Sequence, residues 1–444
     1  MPLVPRLIVA AAATAMAAMS TTPVVAVTSN DPLVELQWNL DKVGADAGWA
    51  ETAGSGMIIA IVDTGVDLDH EDLRDQIVAG RDFVDDDDDP SDEHGHGTHV
   101  AGIAAAAKGN GLGVASVAPA ARIMPIRVLD EGGDGAMADV RAGVQWAVDH
   151  GADVVNLSLG VQGAALLGTG LEEAVRYAWD RGVIAVVAAG NEFVLSSGFG
   201  DEPALVVSAT TRNDQKPGYS NGVGAAQWGI AAPGGGSTSI TGGGPDEDLV
   251  PSTFWISGEQ NQYRYMSGTS MAAPHVAGAA AALRSMGLSP TDTVATLLDT
   301  AHDIGASGED STFGHGRLDV AAAISAARDD QEPTPARTPA PTPPPTIAPA
   351  PTAATTTGTP APTTSPTTPA TSEQQPPPEG GSTGDGGGGG PELPTVPEGE
   401  GQIGAAPSQP VPGDDPDIGG PAAAAALAAT GVGVAAARLR RRLG

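Results

Sequence analysis

The sequence predicts an α/β fold in which helices flank a doubly wound, mostly parallel central sheet. Continuous apolar runs are typical of strands that are buried on both faces of a parallel sheet. Four such runs occur, at residues 57–62, 153–159, 183–189 and 205–210. Helical segments lie between some of them, at residues 136–150 and 171–181, and a glycine suited to a left-handed cap follows each. Strands that alternate with helices predict a sheet covered on both faces.

The 444 residues divide by composition into four parts. Residues 1–26 combine one arginine, a short apolar run and small residues, which predicts a secretory signal peptide. Residues 27–328 form a body that can bury a core. Residues 329–420 are rich in Pro, Thr and Gly, and we expect this linker to be disordered because it buries too little apolar surface to offset its ordering entropy. Residues 421–444 form an Ala-rich run with a basic end, which predicts a membrane or cell-wall anchor.

Charge and cysteine content exclude several classes of protein. The chain has 21 Lys and Arg against 54 Asp and Glu, a formal net charge of −33. Such an acidic chain repels nucleic acids and anionic lipids, so we expect no nucleic-acid partner. It has no cysteine, which excludes disulfide scaffolds, thiolate metal sites and cysteine nucleophiles.

Four blocks of the body carry side chains suited to catalysis. Asp63 ends the first predicted strand, and Asn191 follows the run at 183–189. His96 stands in His-Gly-His-Gly-Thr-His, ahead of a helix of small residues, and Ser270 stands in Ser-Gly-Thr-Ser-Met-Ala-Ala-Pro-His. Sites in parallel sheets form at the carboxyl ends of the strands. We therefore expect these blocks to meet at one sheet edge.

The blocks resemble those of the subtilisin-like serine proteases, or subtilases, in residue type and in the order Asp, His, Ser. The resemblance covers essentially the whole body and is nearest to the thermitase-like branch or to the mycosins. It implies that Ser270 is the nucleophile, that His96 is the general base and that Asp63 orients His96. It also implies that Asn191 stabilises the oxyanion, together with the backbone N–H of Ser270.

The resemblance also implies how polypeptide substrates bind. In subtilases a strand that ends in Ser-Leu-Gly pairs with the substrate backbone as an added antiparallel strand, and small residues line the first specificity pocket. On this chain the implied substrate-binding residues are Ser158, Leu159 and Gly160 for the strand, and Ala188, Ala189 and Gly190 for the pocket.

Two structural calcium sites are implied in the same way. Carboxylates crowded into one loop repel one another unless a cation gathers them, and calcium takes six to eight oxygen ligands. One site resembles the calcium loop of the thermitase branch, with ligands at Asp82, Asp85, Asp87, Asp89 and Ser91. The other resembles the common strong site of the family, with ligands at Asp31, Asp72, Ala107, Asn110, Leu112 and Val114.

Other interpretations of these motifs stay open at this point. Asp-Thr-Gly at residues 63–65 is also the signature of aspartic proteases, which need two copies, so a homodimer would be required. The three histidines between residues 94 and 99 could bind a metal. Ser270 nearly matches a nucleophile elbow, whose partners would lie downstream. Candidates for those partners are His302, Asp303 and His315. In the plainest interpretation Ser270 caps a helix and the acidic loop is a solvated surface.

Together these observations predict a secreted, envelope-tethered serine endopeptidase with a Ser-His-Asp triad, located outside the cell. The alternative is a mycosin-like structural or interaction component of a secretion complex, in which proteolysis is secondary. Mycosins commonly carry disulfides, and the absence of cysteine counts against close membership of that group.

Overall fold

The computed structural model describes residues 29–161, 170–191, 199–236, 248–331 and 402–405. The predicted signal peptide, the predicted anchor and most of the predicted linker lie outside these residues. Within the described ranges, no helix is both long enough and apolar enough to cross a membrane.

Twelve strands occur in the described part of the chain. They are β1 (Ile58–Asp63), β2 (Arg81–Asp82), β3 (Arg122–Arg127), β4 (Asp134–Ala136), β5 (Val154–Leu157), β6 (Leu159–Val161), β7 (Ile184–Ala188), β8 (Ala204–Thr210), β9 (Trp228–Pro233), β10 (Val250–Phe254), β11 (Gln262–Met266) and β12 (Gln402–Ala405). Seven of them form one sheet in the order β2-β3-β1-β5-β7-β8-β9, and every pairing in it is parallel. The prediction of a parallel central sheet is confirmed, and the four apolar runs supply β1, β5, β7 and β8.

Helices cover both faces of this sheet. They are α1 (Trp38–Val43), α2 (Ala45–Glu51), α3 (His96–Ala105), α4 (Met137–Asp149), α5 (Leu171–Trp179), α6 (Thr269–Ser285), α7 (Pro290–Asp299) and α8 (Val320–Gln331). Ile59 and Ile61 of β1 pack into one core with α3 and α6, whereas Ala60 and Val62 pack into a second core with α4 and α5. This alternation follows from the two-residue period of a strand, so the apolar run of β1 supplies both cores.

The predicted helix ends are confirmed. Gly151 follows α4 with φ of 92° and Gly182 follows α5 with φ of 78°, the left-handed conformation that glycine adopts without strain. Ser289 caps α7 by accepting the N–H of Asp292 at 3.1 Å, with Pro290 in the first turn.

Close packing of α6 against neighbouring elements positions the segment that carries Ser270. A Cβ placed on Gly278 would lie 2.8 Å from Val117 Cβ and 3.0 Å from the carbonyl oxygen of Ala104. Only glycine fits at that position without displacing its neighbours, which explains the small residues that follow Ser270. The start of α6 is thereby held at the sheet edge.

Two smaller antiparallel sheets complete the described structure. β10 pairs with β11, and a three-stranded sheet has the order β4-β12-β6. β12 lies within the predicted linker, and it pairs with two strands of the body.

Candidate active site

A buried acid–imidazole pair lies at the carboxyl edge of the sheet. Asp63 ends β1 and His96 begins α3, and Asp63 Oδ1 lies 2.7 Å from His96 Nδ1. Both side chains are fully buried. Because an ionised carboxylate only accepts hydrogen bonds, His96 Nδ1 donates to it and His96 Nε2 is left with a lone pair. No described residue makes a hydrogen bond to His96 Nε2.

Burial and charge act in opposite directions on the pKa of His96. Burial is the largest single effect and lowers the pKa of this imidazole, because it disfavours the charged form. The charge and hydrogen bond of Asp63, with a further contribution from the charge of Asp92, together outweigh burial and raise the pKa above its ordinary value of 6.5. Asp63 therefore stabilises the imidazolium that would form when His96 takes a proton.

Asp92 holds the turn that carries His96, although it is not among the predicted site residues. One Asp92 oxygen accepts the hydroxyl of Thr64 at 2.9 Å, and the other accepts the N–H and hydroxyl of Thr98 at 3.0 and 2.6 Å. These bonds tie the end of β1 to the first turn of α3. Asp92 lies three residues before Gly95, the N-cap of α3, so the usual signals for the start of a helix do not indicate it.

Ser270 lies at the start of α6 and contacts the residue that follows β5. Its hydroxyl donates to the carbonyl of Ser158 at 3.2 Å, and the hydroxyl of Ser158 donates to the carbonyl of Ser270 at 2.9 Å. In the central sheet Val62 is opposite Leu157. Asp63 and Ser158 therefore follow paired positions on neighbouring strands, which lie about 4.8 Å apart. The Ser158 contact thus brings Ser270 to the strand beside Asp63.

Asn191 lies at the start of the same helix. Its side-chain oxygen accepts the N–H and the hydroxyl of Thr269 at 2.8 and 2.9 Å. A Cβ on Gly268 would lie 3.1 Å from Asn191 Nδ2, so the amide nitrogen borders the backbone turn that leads into Ser270. Thr269, which the sequence analysis did not single out, fixes which way the Asn191 carboxamide faces.

The predicted substrate-binding residues lie at the ends of β5 and β7. Residues 158–160 connect β5 to β6 and include the first two residues of β6. Residue 188 is the last residue of β7, and residues 189–190 follow that strand. Asn221 holds the second segment, since its N–H donates to the carbonyl of Gly190 at 2.9 Å and its side chain donates to the carbonyl of Ala189 at 3.1 Å. The structure therefore brings both segments to the edge that holds Ser270.

Two other histidines of these blocks, His99 and His275, contact backbone carbonyl oxygens. His99 Nε2 lies 3.1 Å from the carbonyl oxygen of Arg264, and burial lowers the pKa of His99 to about 3. His275 Nδ1 lies 2.8 Å from the carbonyl oxygen of Met271, and burial lowers the pKa of His275 to about 4. Across the described ranges, no three His, Asp or Glu side chains form a candidate metal cluster, and the three-histidine interpretation gains no support.

Three side chains of the second predicted calcium site lie around one loop. Asp31 accepts the N–H of Gly109 with both carboxylate oxygens, at 3.0 and 2.8 Å. Asp72 accepts the side-chain amide of Asn110 at 2.8 Å. Asp31 and Asp72 are buried, so two carboxylates lie against the loop that carries the predicted carbonyl ligands at residues 107–114.

In the acidic loop, arginines supply positive charge. Arg127 donates to Asp82 at 2.6 Å and to Asp85 at 3.0 Å, and Arg127 and Asp82 are both buried. Arg81 donates to Asp88 at 2.7 Å. The mutual repulsion of these carboxylates is therefore relieved in part without a metal. Local sequence pattern does not reveal this contact, because Arg127 lies on β3, 42 residues from Asp85 along the chain.

Comparisons with known proteins agree with this geometry. The model of the subtilase family matches residues 54–316. Thermitase from Thermoactinomyces vulgaris is 39% identical over 300 residues, spanning 67% of this chain and 99% of the relative. A thermophilic serine proteinase from Bacillus sp. strain AK1 is 40% identical over 306 residues, spanning 67% of this chain and 69% of that relative.

A solved protease from Pseudoalteromonas arctica has a similar fold. It superposes with a TM-score of 0.59 at 31% identity, covering 68% of this chain and 99% of the solved chain. None of these findings supports the mycosin-like alternative. The matched segment includes every block that carries Asp63, His96, Asn191 and Ser270. The chain therefore belongs to the subtilase family, on its thermitase-like branch, and is a serine endopeptidase.

Proposed function

We propose that the chain hydrolyses peptide bonds through an acyl-enzyme formed on Ser270, with His96 as general base and Asp63 as the residue that orients it. The observation that carries this proposal is the buried Asp63–His96 pair, 2.7 Å apart, whose outer nitrogen makes no hydrogen bond to any described residue. A serine hydroxyl becomes a good nucleophile only when a base takes its proton, and a neutral imidazole does so near pH 7.

In the proposed reaction the Ser270 hydroxyl turns from the Ser158 carbonyl towards His96. Its proton passes to His96 Nε2 as its oxygen attacks the scissile carbonyl carbon. The imidazolium, stabilised by Asp63, then gives that proton to the leaving amine as the C–N bond breaks. A water molecule, activated by His96 in the same way, then attacks the acyl-enzyme, and the release of the acid product regenerates the Ser270 hydroxyl.

The proposal is tested by labelling the full chain with a fluorophosphonate probe, which reacts with activated serines. We expect labelling of the unmodified chain and none of Ser270→Ala. Ser208→Ala is the matched control, because Ser208 is another fully buried serine, on β8, whose hydroxyl makes no hydrogen bond to any described residue. Labelling that persists in Ser270→Ala would refute the assignment of the nucleophile.

The developing oxyanion would be stabilised by the side-chain amide of Asn191 and the backbone N–H of Ser270. Asn191→Ala is expected to lower kcat by about 10²–10³ with little change in KM, because the charge appears only in the transition state; that magnitude was measured in subtilisin, a member of the same family. Steady-state kinetics on a peptide substrate measure both constants. Asn213→Ala, at an exposed position, should change neither. A loss confined to KM would contradict the proposed role.

Substrates are proposed to bind as extended polypeptides along residues 158–160. Backbone pairing tolerates many sequences, and the small residues 188–190 would leave room for a bulky side chain next to the cleaved bond. We also propose that the protease is exported and tethered at the cell envelope. This proposal rests on the composition of residues 1–26 and 421–444.

We propose one structural calcium ion, held by Asp31, Asp72 and Asn110 with carbonyl oxygens of the loop at residues 107–114. The buried carboxylates and the oxygen-rich loop fit the chemistry of a hard cation. The acidic loop fits a cation less well, because Arg127 already neutralises Asp82. We therefore confine the calcium proposal to the Asp31 site.

Removal of calcium is expected to lower the melting temperature of the full chain. A cation at 100 times its Kd stabilises the folded state by ~2.7 kcal/mol, which corresponds to roughly 5–10 °C. Thermal unfolding with and without EDTA measures the change. Asp31→Asn should lose most of the response and the exposed-site variant Asp46→Asn should keep it. An equal melting temperature with and without EDTA would contradict the calcium proposal.

A further inference from the structure

A segment of the linker forms the middle strand of a sheet whose other two strands belong to the body. β12 is antiparallel to both of its neighbours, β4 and β6. Ile403 lies opposite Gly135 of β4 and Val161 of β6, and Gly404 lies opposite Gly160. The backbone of residues 402–405 therefore has a partner strand on each side.

The position of this strand relative to Ser270 follows from its direction. β6 begins at Leu159, directly after Ser158, whose carbonyl accepts the Ser270 hydroxyl at 3.2 Å. Ala405, the last residue of β12, lies opposite Leu159. The linker segment therefore runs towards Ser270 along the strand that a substrate is proposed to use.

The body presents a groove for an extended chain at this point. β4 and β6 lie on opposite sides of β12, and neither belongs to any other sheet in the described structure. Without a middle strand, both inner edges would leave backbone N–H and C=O groups unpaired, and an added strand is the usual way to satisfy such edges. Gly135 of β4 packs closely against the backbone that directly follows β3: a Cβ on this residue would lie 2.2 Å from the carbonyl oxygen of Val128, so a larger side chain does not fit there.

The sequence of the segment suits this role. Residues 401–406 contain neither charge nor proline, although the chain is acidic and the linker is rich in proline. Proline cannot donate a hydrogen bond to a neighbouring strand, and Ile403 is β-branched, a type enriched in strands. The 70 residues between Gln331 and Gln402 could span at most roughly 250 Å when fully extended, which is ample for reaching the groove.

We propose that residues 402–405 are a built-in ligand of the peptide-binding groove and compete with polypeptide substrates for it. This inference rests on the proposed function, since the competing ligands are substrates of Ser270. Because the segment belongs to the same chain, its local concentration at the groove is independent of protein concentration.

The test uses the full chain with Ile403→Pro and Gly404→Pro together, which remove two backbone donors from β12. Thr355→Pro, in the linker but outside the segment, is the control. The first measurement is amide hydrogen exchange in a Ser270→Ala background, where no self-cleavage by Ser270 can occur. We expect faster exchange at residues 134–136 and 159–161 in the double-proline variant and no change in the control.

The second measurement is steady-state hydrolysis of a peptide by the otherwise unmodified chain. We expect the double-proline variant to have an apparent KM about two- to tenfold lower, at unchanged kcat, because the competing ligand is gone. A synthetic peptide of residues 400–407 added to this variant should raise its KM again without changing kcat.

The outcomes separate this inference from the proposed function. Unchanged exchange at β4 and β6 would overturn the docking of β12, whatever the activity. Changed exchange with unchanged KM in an active enzyme would overturn competition with substrates. If no form of the chain hydrolyses peptides, the proposed function fails, while the exchange measurement still decides whether β12 occupies the groove.

Discussion

Ser270→Ala and His96→Ala are each expected to lower kcat by about 10⁶, and the double variant is expected to be no slower than either single one. The magnitude and the lack of additivity are those of subtilisin, a member of the same family. Nucleophile and base act in one step, so the loss of either removes that step entirely. Hydrolysis of a chromogenic peptide, followed for hours at high enzyme concentration, measures the residual rates.

Ser208→Ala serves as the control for these variants, because it removes a buried serine hydroxyl that lies on β8. It should keep the full kcat. KM should change little in all variants, since neither Ser270 nor His96 supplies the backbone contacts of the substrate strand. Additive losses in the double variant would mean that Ser270 and His96 act independently, which would contradict the proposed mechanism.

Asp63→Asn is expected to lower kcat by about 10⁴, the size of effect known for this change in other serine proteases. Asparagine can donate to His96 Nδ1 and so favour the tautomer that carries its proton on Nε2, where the proton blocks acceptance from Ser270. Stopped-time assays with the peptide substrate measure the loss. The exposed-site variant Asp41→Asn should retain full activity.

The pH dependence supplies a second measurement on Asp63→Asn. In the unmodified chain burial lowers the pKa of His96, but Asp63 and Asp92 together raise it above 6.5. His96 must be neutral to act as a base, so kcat/KM should fall as the pH drops through a value above 6.5. Without the Asp63 charge, burial dominates and the midpoint should move to lower pH. If the midpoint of the fall in kcat/KM at low pH did not shift in Asp63→Asn, a group other than His96 would control that fall.

The fold was largely predictable because its signals are local. Each apolar run indicated a strand that is buried on both faces. The run at residues 57–62 forms β1, whose side chains pack into two cores. Gly151 and Gly182 indicated helix ends within a few residues. In contrast, β12 carries only four residues in a linker without periodicity. Its formation depends on two body strands that its own composition does not reveal.

The candidate site also has a part that the sequence could predict and a part that it could not. The types and order of Asp63, His96, Asn191 and Ser270 indicated the chemistry before any geometry was known. Thr269 and Asp92 could not be predicted, because neither has a reactive role: Thr269 orients Asn191, and Asp92 holds the first turn of α3. The charge neutralisation of Asp82 by Arg127 also escaped notice, since it joins two segments that are distant along the chain.

By itself, the sequence determined which strands and helices form and which side chains are available for catalysis, because periodicity, capping and functional-group chemistry are properties of short segments. Only the tertiary structure decided that Asp92 ties the end of β1 to the first turn of α3, how arginines neutralise the acidic loop, and that residues 402–405 pair with residues 159–161. These outcomes depend on how the sheet and its helices pack, which brings together residues that are far apart in the chain and cannot be paired from local pattern alone.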